Sequence, residues 1–480
     1  MKPDTRAQPV VASVTMGYGH LRAAYPLAEQ LGVPVLSVDE PPLADPHEAN
    51  LWAWVRRAHE LLSKPMPFLG PLDKPARGLM NAITMIPPLH ETRDHRSPTW
   101  SVHLLDLLIQ RGLGSGMVQE LRASGAALVT TFYAPAIIAD RAGIEQVFCV
   151  VTDADCNRVW APLDATRTRI RYCAPTPRVV RRLRSFGVPE ENIHLTGFPL
   201  PTALTESSRS SSPEARLVQR IARLDPRGMF RGLHHQELAL LANAKGPRLV
   251  AQGGTAHGAA PNAPDAKGSP APLASPGPVH LMFAVGGAGA QAELVDEFLP
   301  ALRPLISSGR LRLQLVAGTR PEVYRSFVES VNRCGLEPAL EREISIISGD
   351  DFKSYYAAFN RALLDTDVLW TKPSELSFYP ALGLACLLSK PLGAHERYNR
   401  RWLREQGVGL KQRRLDHAHG WLEEWLEDGT LAAAAWTGFV RLPKNGTARI
   451  AELVLRGEHL RHADGAPSSA PEAAPSRFVR

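Results

Sequence analysis

The chain has 480 residues, of which 44% are hydrophobic and 21% charged, with a formal net charge of +7 and an isoelectric point near 9.2. That length passes the ~250–300 residues at which one core stops growing, so at least two domains are expected. No apolar run reaches the roughly 20 residues of a membrane-spanning helix, and the N-terminus lacks a signal-peptide core, so a helix-spanning protein is excluded and a cytoplasmic one expected. The positive charge suits a nucleotide diphosphate or an anionic membrane surface. It is spread along the chain rather than gathered in a stripe with aromatics, which argues against nucleic acid.

Taken in order, PVVASV (9–14) reads as a strand, His20 to Leu31 as a helix, and VPVLSVD (33–39) as a second strand. Further strands are predicted at 127–132, 146–153, 170–175 and 192–197, with helices between several of them. Such alternation is the signature of a parallel sheet wrapped by helices. Residues 204–278 interrupt it: a serine-rich opening, a polar helical stretch (213–243) and a Pro/Ala/Gly-rich run that buries too little to stay ordered. The alternation restarts with strands at 280–285, 311–318, 343–348 and 367–371, and a helical pattern closes the chain from Trp421 to Leu460. The expected division is 1–203, a linker at 204–278, 279–440, a C-terminal helix at 441–462 returning to the first domain, and a disordered tail at 463–480.

Five cysteines, at 149, 156, 173, 334 and 386, form no CxxC pair, so buried reduced thiols are expected rather than a disulfide framework or a zinc site. In HETRDH (90–95) the two histidines are a poor metal pair, and a solvated loop is the expectation. No metal and no cofactor is expected.

Three motifs carry chemistry. The first is T-M-G-Y-G-H-L-R-A-A (15–24), where Gly17 and Gly19 turn the backbone between a strand and a helix. They leave amide N–H groups at a helix N-terminus, which attracts anions. His20 at its mouth is a base candidate. Asp39 follows about 20 residues on, as in a nicotinamide fingerprint, but Arg22 stands where that fingerprint wants Gly or Ala. The second motif is V-G-G-A-G (285–289), in which Gly286, Gly287 and Gly289 allow a phosphate close approach. The third is the turn Lys372, Pro373, Ser374, Glu375 at a strand end, followed by His395, Glu396 and Asn399 at the start of a helix.

This order of motifs resembles the GT-B glycosyltransferases that include monogalactosyldiacylglycerol synthases, diacylglycerol glucosyltransferases and the lipid-linked N-acetylglucosaminyltransferase of peptidoglycan synthesis. The matching positions are Gly17, Gly19, His20, Ala23 and Ala24; Thr152, Asp153 and Trp160; Tyr172, Gly197 and Pro199; Gly286, Gly287 and Gly289; and Thr371, Lys372, Pro373, Glu396 and Asn399. The resemblance spans residues 9–200 and 279–410. It implies two Rossmann-like domains facing across a cleft. It implies metal-independent transfer of a sugar from a nucleotide, UDP-linked, to a lipid or lipid-linked hydroxyl. His20 would be catalytic, with Gly17, Gly19, Asp153 and Trp160 on the acceptor side. Gly286, Gly287, Gly289, Lys372, Ser374, Glu375, His395, Glu396 and Asn399 would hold the donor.

The chain departs from the family where a ribose-binding Glu is usual, a position that falls on Pro380, and where a His follows the T-D strand, here nearest Asn157. Glu375 is a candidate substitute one turn earlier. The alternative readings are a binding or regulatory protein on a degenerate GT-B fold and a nicotinamide-dependent oxidoreductase. Residues 49–88 mix Trp52, Trp54, Phe68 and leucines with Arg56, Arg57, Lys64 and Lys74, which fits either a peripheral membrane surface or a buried helix.

Overall fold

The computed structural model describes residues 8–14, 17–53, 86–90, 92–207, 211–243, 277–286 and 289–459. Gly287, most of 49–88, most of the Pro/Ala/Gly-rich run and the tail lie outside the described residues.

The alternation of the sequence builds two parallel six-stranded sheets, each flanked by helices. The first holds β1 (Val10–Ser13), β2 (Val35–Ser37), β3 (Leu128–Thr130), β4 (Val147–Val150), β5 (Arg171–Ala174) and β6 (Ile193–Leu195), in the order β2-β1-β3-β4-β5-β6. The second holds β7 (Val279–Ala284), β8 (Leu311–Gly318), β9 (Ile344–Ser348), β10 (Val368–Thr371), β11 (Ala385–Leu388) and β12 (Gly409–Lys411), in the order β12-β11-β10-β7-β8-β9. The second order is that of a Rossmann sheet. The chain reverses direction across each sheet at one place: between β1 and β3 in the first, and between β7 and β10 in the second. Ligands of open α/β sheets bind outside the carboxyl ends of the strands at such a reversal. The glycine motifs leave β1 and β7, and the Lys372 turn leaves β10, so all three lie at these two points.

Helix α1 (Tyr18–Leu31) locks the halves together because its small residues admit close neighbours. Ala24, Leu27 and Ala28 pack with Val11, Val129 and Phe148 of the sheet, and with Ile450 and Val454 of the last helix (Gly446–His459). Each of those two aliphatic side chains, fully buried, is worth about 1.5–3 kcal/mol. Ala23 faces the other way and joins Phe198 and Leu200 in a cluster with Phe378, Tyr355 and Leu369 of the second half. Phe198 and Phe378 stack at 4.6 Å between centroids. The two halves therefore share one continuous apolar layer.

The segment expected as a linker is partly core. Ser212 accepts a hydrogen bond from the Ala215 amide at 3.2 Å and Pro213 takes the first helical turn, which starts α2 (Pro213–Leu224). Leu217, Ile221 and Leu224 enter the core of the second sheet. Arg220 donates to the carbonyls of Leu363 and Thr366 at 2.9 and 2.6 Å, covering acceptors at the end of α3 (Phe352–Asp365), and to that of Leu382 at 2.7 Å. The helical stretch then breaks at Pro226 and Gly228 and resumes as Met229–Leu233 and His235–Asn243. β11 and β12 were not among the expected strands, and the turn after Ser374 continues as an eight-residue 3-10 segment, Glu375–Leu382. Among the described residues no helix is long and apolar enough to cross a membrane.

Candidate functional site

The carboxyl edges of the two sheets face one another, and the motif residues meet along that line. Gly17, at φ 125°, starts α1 without a side-chain cap, as only glycine does freely. His20 follows one turn in. Its Nδ1 lies 2.7 Å from the carbonyl of Thr131, just past β3, and Thr131 Oγ1 donates back to the His20 carbonyl at 3.0 Å. A carbonyl only accepts, so Nδ1 carries the proton and Nε2 holds the lone pair. Burial lowers the imidazole below its ordinary value, against the opposing pull of Thr131, Asp153 and Glu375. The ring is thus neutral and half-buried, with its edge against Phe132 at 4.9 Å.

Across the line, Lys372 lies over Gly286: a Cβ built there would stand 2.6 Å from the lysine Cε. The bare glycine is what lets the ammonium reach 2.7 Å from Glu396. Glu396 also accepts from the amides of Leu392 and Gly393 at 2.6 and 3.4 Å, closing the first turn of α4 (Ala394–Glu405). Burial opposes the charge on both partners, but the pairing prevails, raising Lys372 and lowering Glu396. Glu396 is therefore committed to protein partners, while Lys372 also feels Glu375 beside it and Asp153 of the first half.

Glu375 opens the 3-10 segment that follows the Lys372 turn. It crosses to the first half and pairs with Arg22, with its carboxylate over Gly19, where an added Cβ would stand 3.0 Å from Oε2. Arg22 also donates to Tyr355 and lies over the Phe359 ring at 4.5 Å. Burial pushes the Glu375 carboxyl up, but Arg22 and Lys372 outweigh it and hold it below its ordinary value.

Asn399 likewise serves as a clamp. Its Nδ2 donates to Asp153 Oδ1 at 2.8 Å and to the Pro373 carbonyl at 3.1 Å, and its Oδ1 accepts from the Ala154 amide at 2.8 Å. The side chain is fully buried and joins the loop after β4 to the turn after β10.

The remaining candidates lie farther out. Trp160 is buried in the first core, edge-on to Tyr133 at 5.6 Å. His395 is half-exposed at the helix start. Ser374 makes a tight turn through its amide to the Lys372 carbonyl at 2.8 Å. Gly289, at φ 73°, closes its loop on the Gly286 carbonyl at 2.7 Å and packs on Val323. Pro380 is buried, with its carbonyl 2.4 Å from where a Gly438 Cβ would stand, so the position matching a ribose-binding Glu faces the core. Asp39 takes the Ser37 hydroxyl at 2.7 Å. Two surface hollows, of 440 and 180 Å³, sit on the first half away from this line. Among the described residues no group of three or more His, Cys, Asp or Glu is placed to hold a metal.

Sequence reasoning did not find Thr131, which fixes the His20 tautomer, nor the ion pair of Arg22. A charged residue beside Ala23 and Ala24 on the inner face of α1 was the available signal.

No family model and no curated protein matches the chain. Among solved structures it is similar to MurG of Acinetobacter baumannii, at 14% identity and a TM-score of 0.47, over 94% of this chain and 99% of that one. It is similar to a glycosyltransferase of Rickettsia africae at 10% identity and 0.38, over 95% and 100%. It is also similar to a UDP-GlcNAc 2-epimerase of Neisseria meningitidis, bound to UDP-GlcNAc, at 11% identity and 0.42, over 80% and 89%.

Proposed function

We propose that this protein is a nucleotide-sugar-dependent glycosyltransferase with a UDP-linked donor and a lipid or lipid-linked acceptor, working without a metal at the inner face of the membrane. The observation that carries it is the fixed tautomer of His20 at one chain reversal, opposite Lys372 at the other. In this scheme the acceptor hydroxyl approaches Nε2 of His20. Its oxygen bonds to the anomeric carbon as the bond from that carbon to the diphosphate oxygen breaks, and Nε2 takes the hydroxyl proton. The diphosphate leaves with the bonding pair. The Lys372 ammonium offsets its charge. Gly17, with open space where a side chain would stand, leaves room for the acceptor, and Asp153, held by Asn399, supports the imidazolium that forms.

A non-catalytic binding protein on the same fold is the second reading, favoured by Pro380 facing the core and by Glu375 being spent on Arg22. A nicotinamide enzyme is disfavoured, because Arg22 fills the close-packing position of that fingerprint with a buried ion pair.

Calorimetry with UDP, dTDP and GDP sugars is the test. Binding of one of them, with turnover abolished and binding kept in His20→Ala, is the expected result. Binding without turnover in the unaltered protein favours the second reading, and no binding to any donor overturns the transferase reading and leaves the second.

A further inference from the structure

We propose that Arg182 and His95 form a second binding site, for a phosphate-type oxyanion, beside the loop that follows β4. Helix Pro177–Phe186 follows β5 and starts against that loop, with Thr176 accepting from the Val179 amide at 3.2 Å and donating to the Ala154 carbonyl at 2.9 Å. It places two arginines on one carboxylate. Arg182 grips Asp155 through Nε and Nη2, both at 2.9 Å, and Arg178 Nε adds a contact at 2.6 Å. The Cys156 amide donates to the same carboxylate at 2.9 Å. Two guanidiniums and one carboxylate leave one positive charge in excess, and Asp155 has little acceptor capacity left.

The unfilled donors sit beside that charge. Arg182 is fully buried, yet its Nη1 has no hydrogen-bond partner among the described residues. His95 is 8% exposed, not the solvated loop residue that its sequence suggested, and neither ring nitrogen has a hydrogen-bond partner within 3.5 Å among the described residues. A buried polar group left unmade costs about 1–3 kcal/mol, so folded chains place such groups where something completes them. Water satisfies donors but not charge. A phosphate satisfies both, through several acceptor oxygens and a charge near −1.5 to −2.

The surroundings fit an anion. Burial and the neighbouring Arg182 and Arg93 hold the His95 imidazole below its ordinary value, while the His90 carbonyl and Asp94 pull the other way. An arriving dianion offsets those two arginines and draws a proton onto the ring, which then donates from both nitrogens. Arg93 and Arg96, exposed on the same loop with Asp94 between them, leave the approach one positive charge in excess. The site borrows nothing from the His20 centre, whose groups have their own partners. It meets the second half where Arg178 lies over the Tyr398 ring at 5.5 Å, and Tyr398 donates to the Ile86 carbonyl at 2.6 Å.

The test is calorimetry on the full chain in phosphate-free buffer with inorganic phosphate and with glycerol 3-phosphate, while the His95 ring is followed by NMR. Binding of either probe, with His95 titrating at higher pH when it is bound, is the expected outcome. Preference for inorganic phosphate assigns a free anion, and preference for glycerol 3-phosphate an esterified one. His95→Gln should weaken binding about tenfold, and so should Arg182→Lys if it folds. His20→Ala should leave it unchanged. The proposal is overturned if neither probe moves His95, if His95→Gln binds as well as the unaltered chain, or if His20→Ala loses the anion. Each of these readouts is independent of sugar transfer.

Discussion

Arg22 of the first half and Glu375 of the second form a buried ion pair across the line where the two sheets meet. The pair sits between a glycine helix and a strand-end turn, with Arg22 only 2% exposed. Removing one member of such a pair strands the other charge in a medium that solvates it poorly. Glu375→Ala is therefore expected to cost about 3–5 kcal/mol, whereas replacing both by apolar residues of similar volume costs much less. Urea denaturation of Glu375→Ala and of Arg22→Met/Glu375→Leu checks this. Equal losses in the single and double variants would show that the aromatic shell, not the charge, dominates.

Acid should weaken this protein in a defined window. Burial pushes Glu375 and Glu396 up, but Arg22 and Lys372 at the first, and Lys372 and His395 at the second, leave both below the ordinary value. With a lowered folded value, the unfolded chain binds more protons. Stability is full above the ordinary carboxylate value of ~4.3 and is lost as pH falls through the folded values. His20, lowered by burial, adds a second loss in the same direction as pH falls below ~6.5, where the unfolded ring takes a proton that the folded ring refuses. Urea midpoints measured against pH should show both steps, with the lower one flattened in Glu396→Gln.

The same His20 governs the rate profile. As a base it must be unprotonated, so kcat/KM should rise with pH through a midpoint below ~6.5. Thr131→Ala keeps the carbonyl that fixes Nδ1 and should preserve that midpoint. A midpoint above the ordinary histidine value would remove His20 from this role.

Two glycines separate site from scaffold. In Gly286→Ala the new methyl meets the flexible end of Lys372 at 2.6 Å, so the lysine swings away from Glu396 and donor affinity falls while the fold survives. In Gly438→Ala the methyl meets the Pro380 carbonyl at 2.4 Å, and backbone must move. That overpacking should cost about 1–3 kcal/mol, read as a lower melting temperature.

Asn399→Asp is nearly isosteric, yet it should be the more damaging of two changes. It replaces the donor to Asp153 by a second carboxylate at the same 2.8 Å contact. Asn399→Ala loses hydrogen bonds without adding like charge. Melting temperatures should rank the unaltered chain above Asn399→Ala, and Asn399→Ala above Asn399→Asp at neutral pH, with the order of the two variants narrowing as acid protonates the carboxylates.

The sequence by itself determined the two sheets. Apolar runs such as VVAS and VFCV, flanked by helix patterns, leave few alternatives to parallel strands with crossover helices. It also located Gly17, His20, Gly286 and Lys372 at strand ends, because glycine turns and strand limits are local signals. β12, three residues long, was too short to show a period, and β11 merged with the apolar run before it.

What only the tertiary structure decided is which group each of these residues faces. Glu375 finds Arg22 across 353 positions, and Asn399 finds Asp153 across 246. The tautomer of His20 depends on a carbonyl 111 residues away. Pro380 turned out to face Gly438, and α2 to belong to a core rather than to a linker. Periodicity records the average burial of a face, whereas a buried charge takes whichever partner the packing of distant segments brings within reach. In this chain that packing spends Glu375 on Arg22 and Glu396 on Lys372.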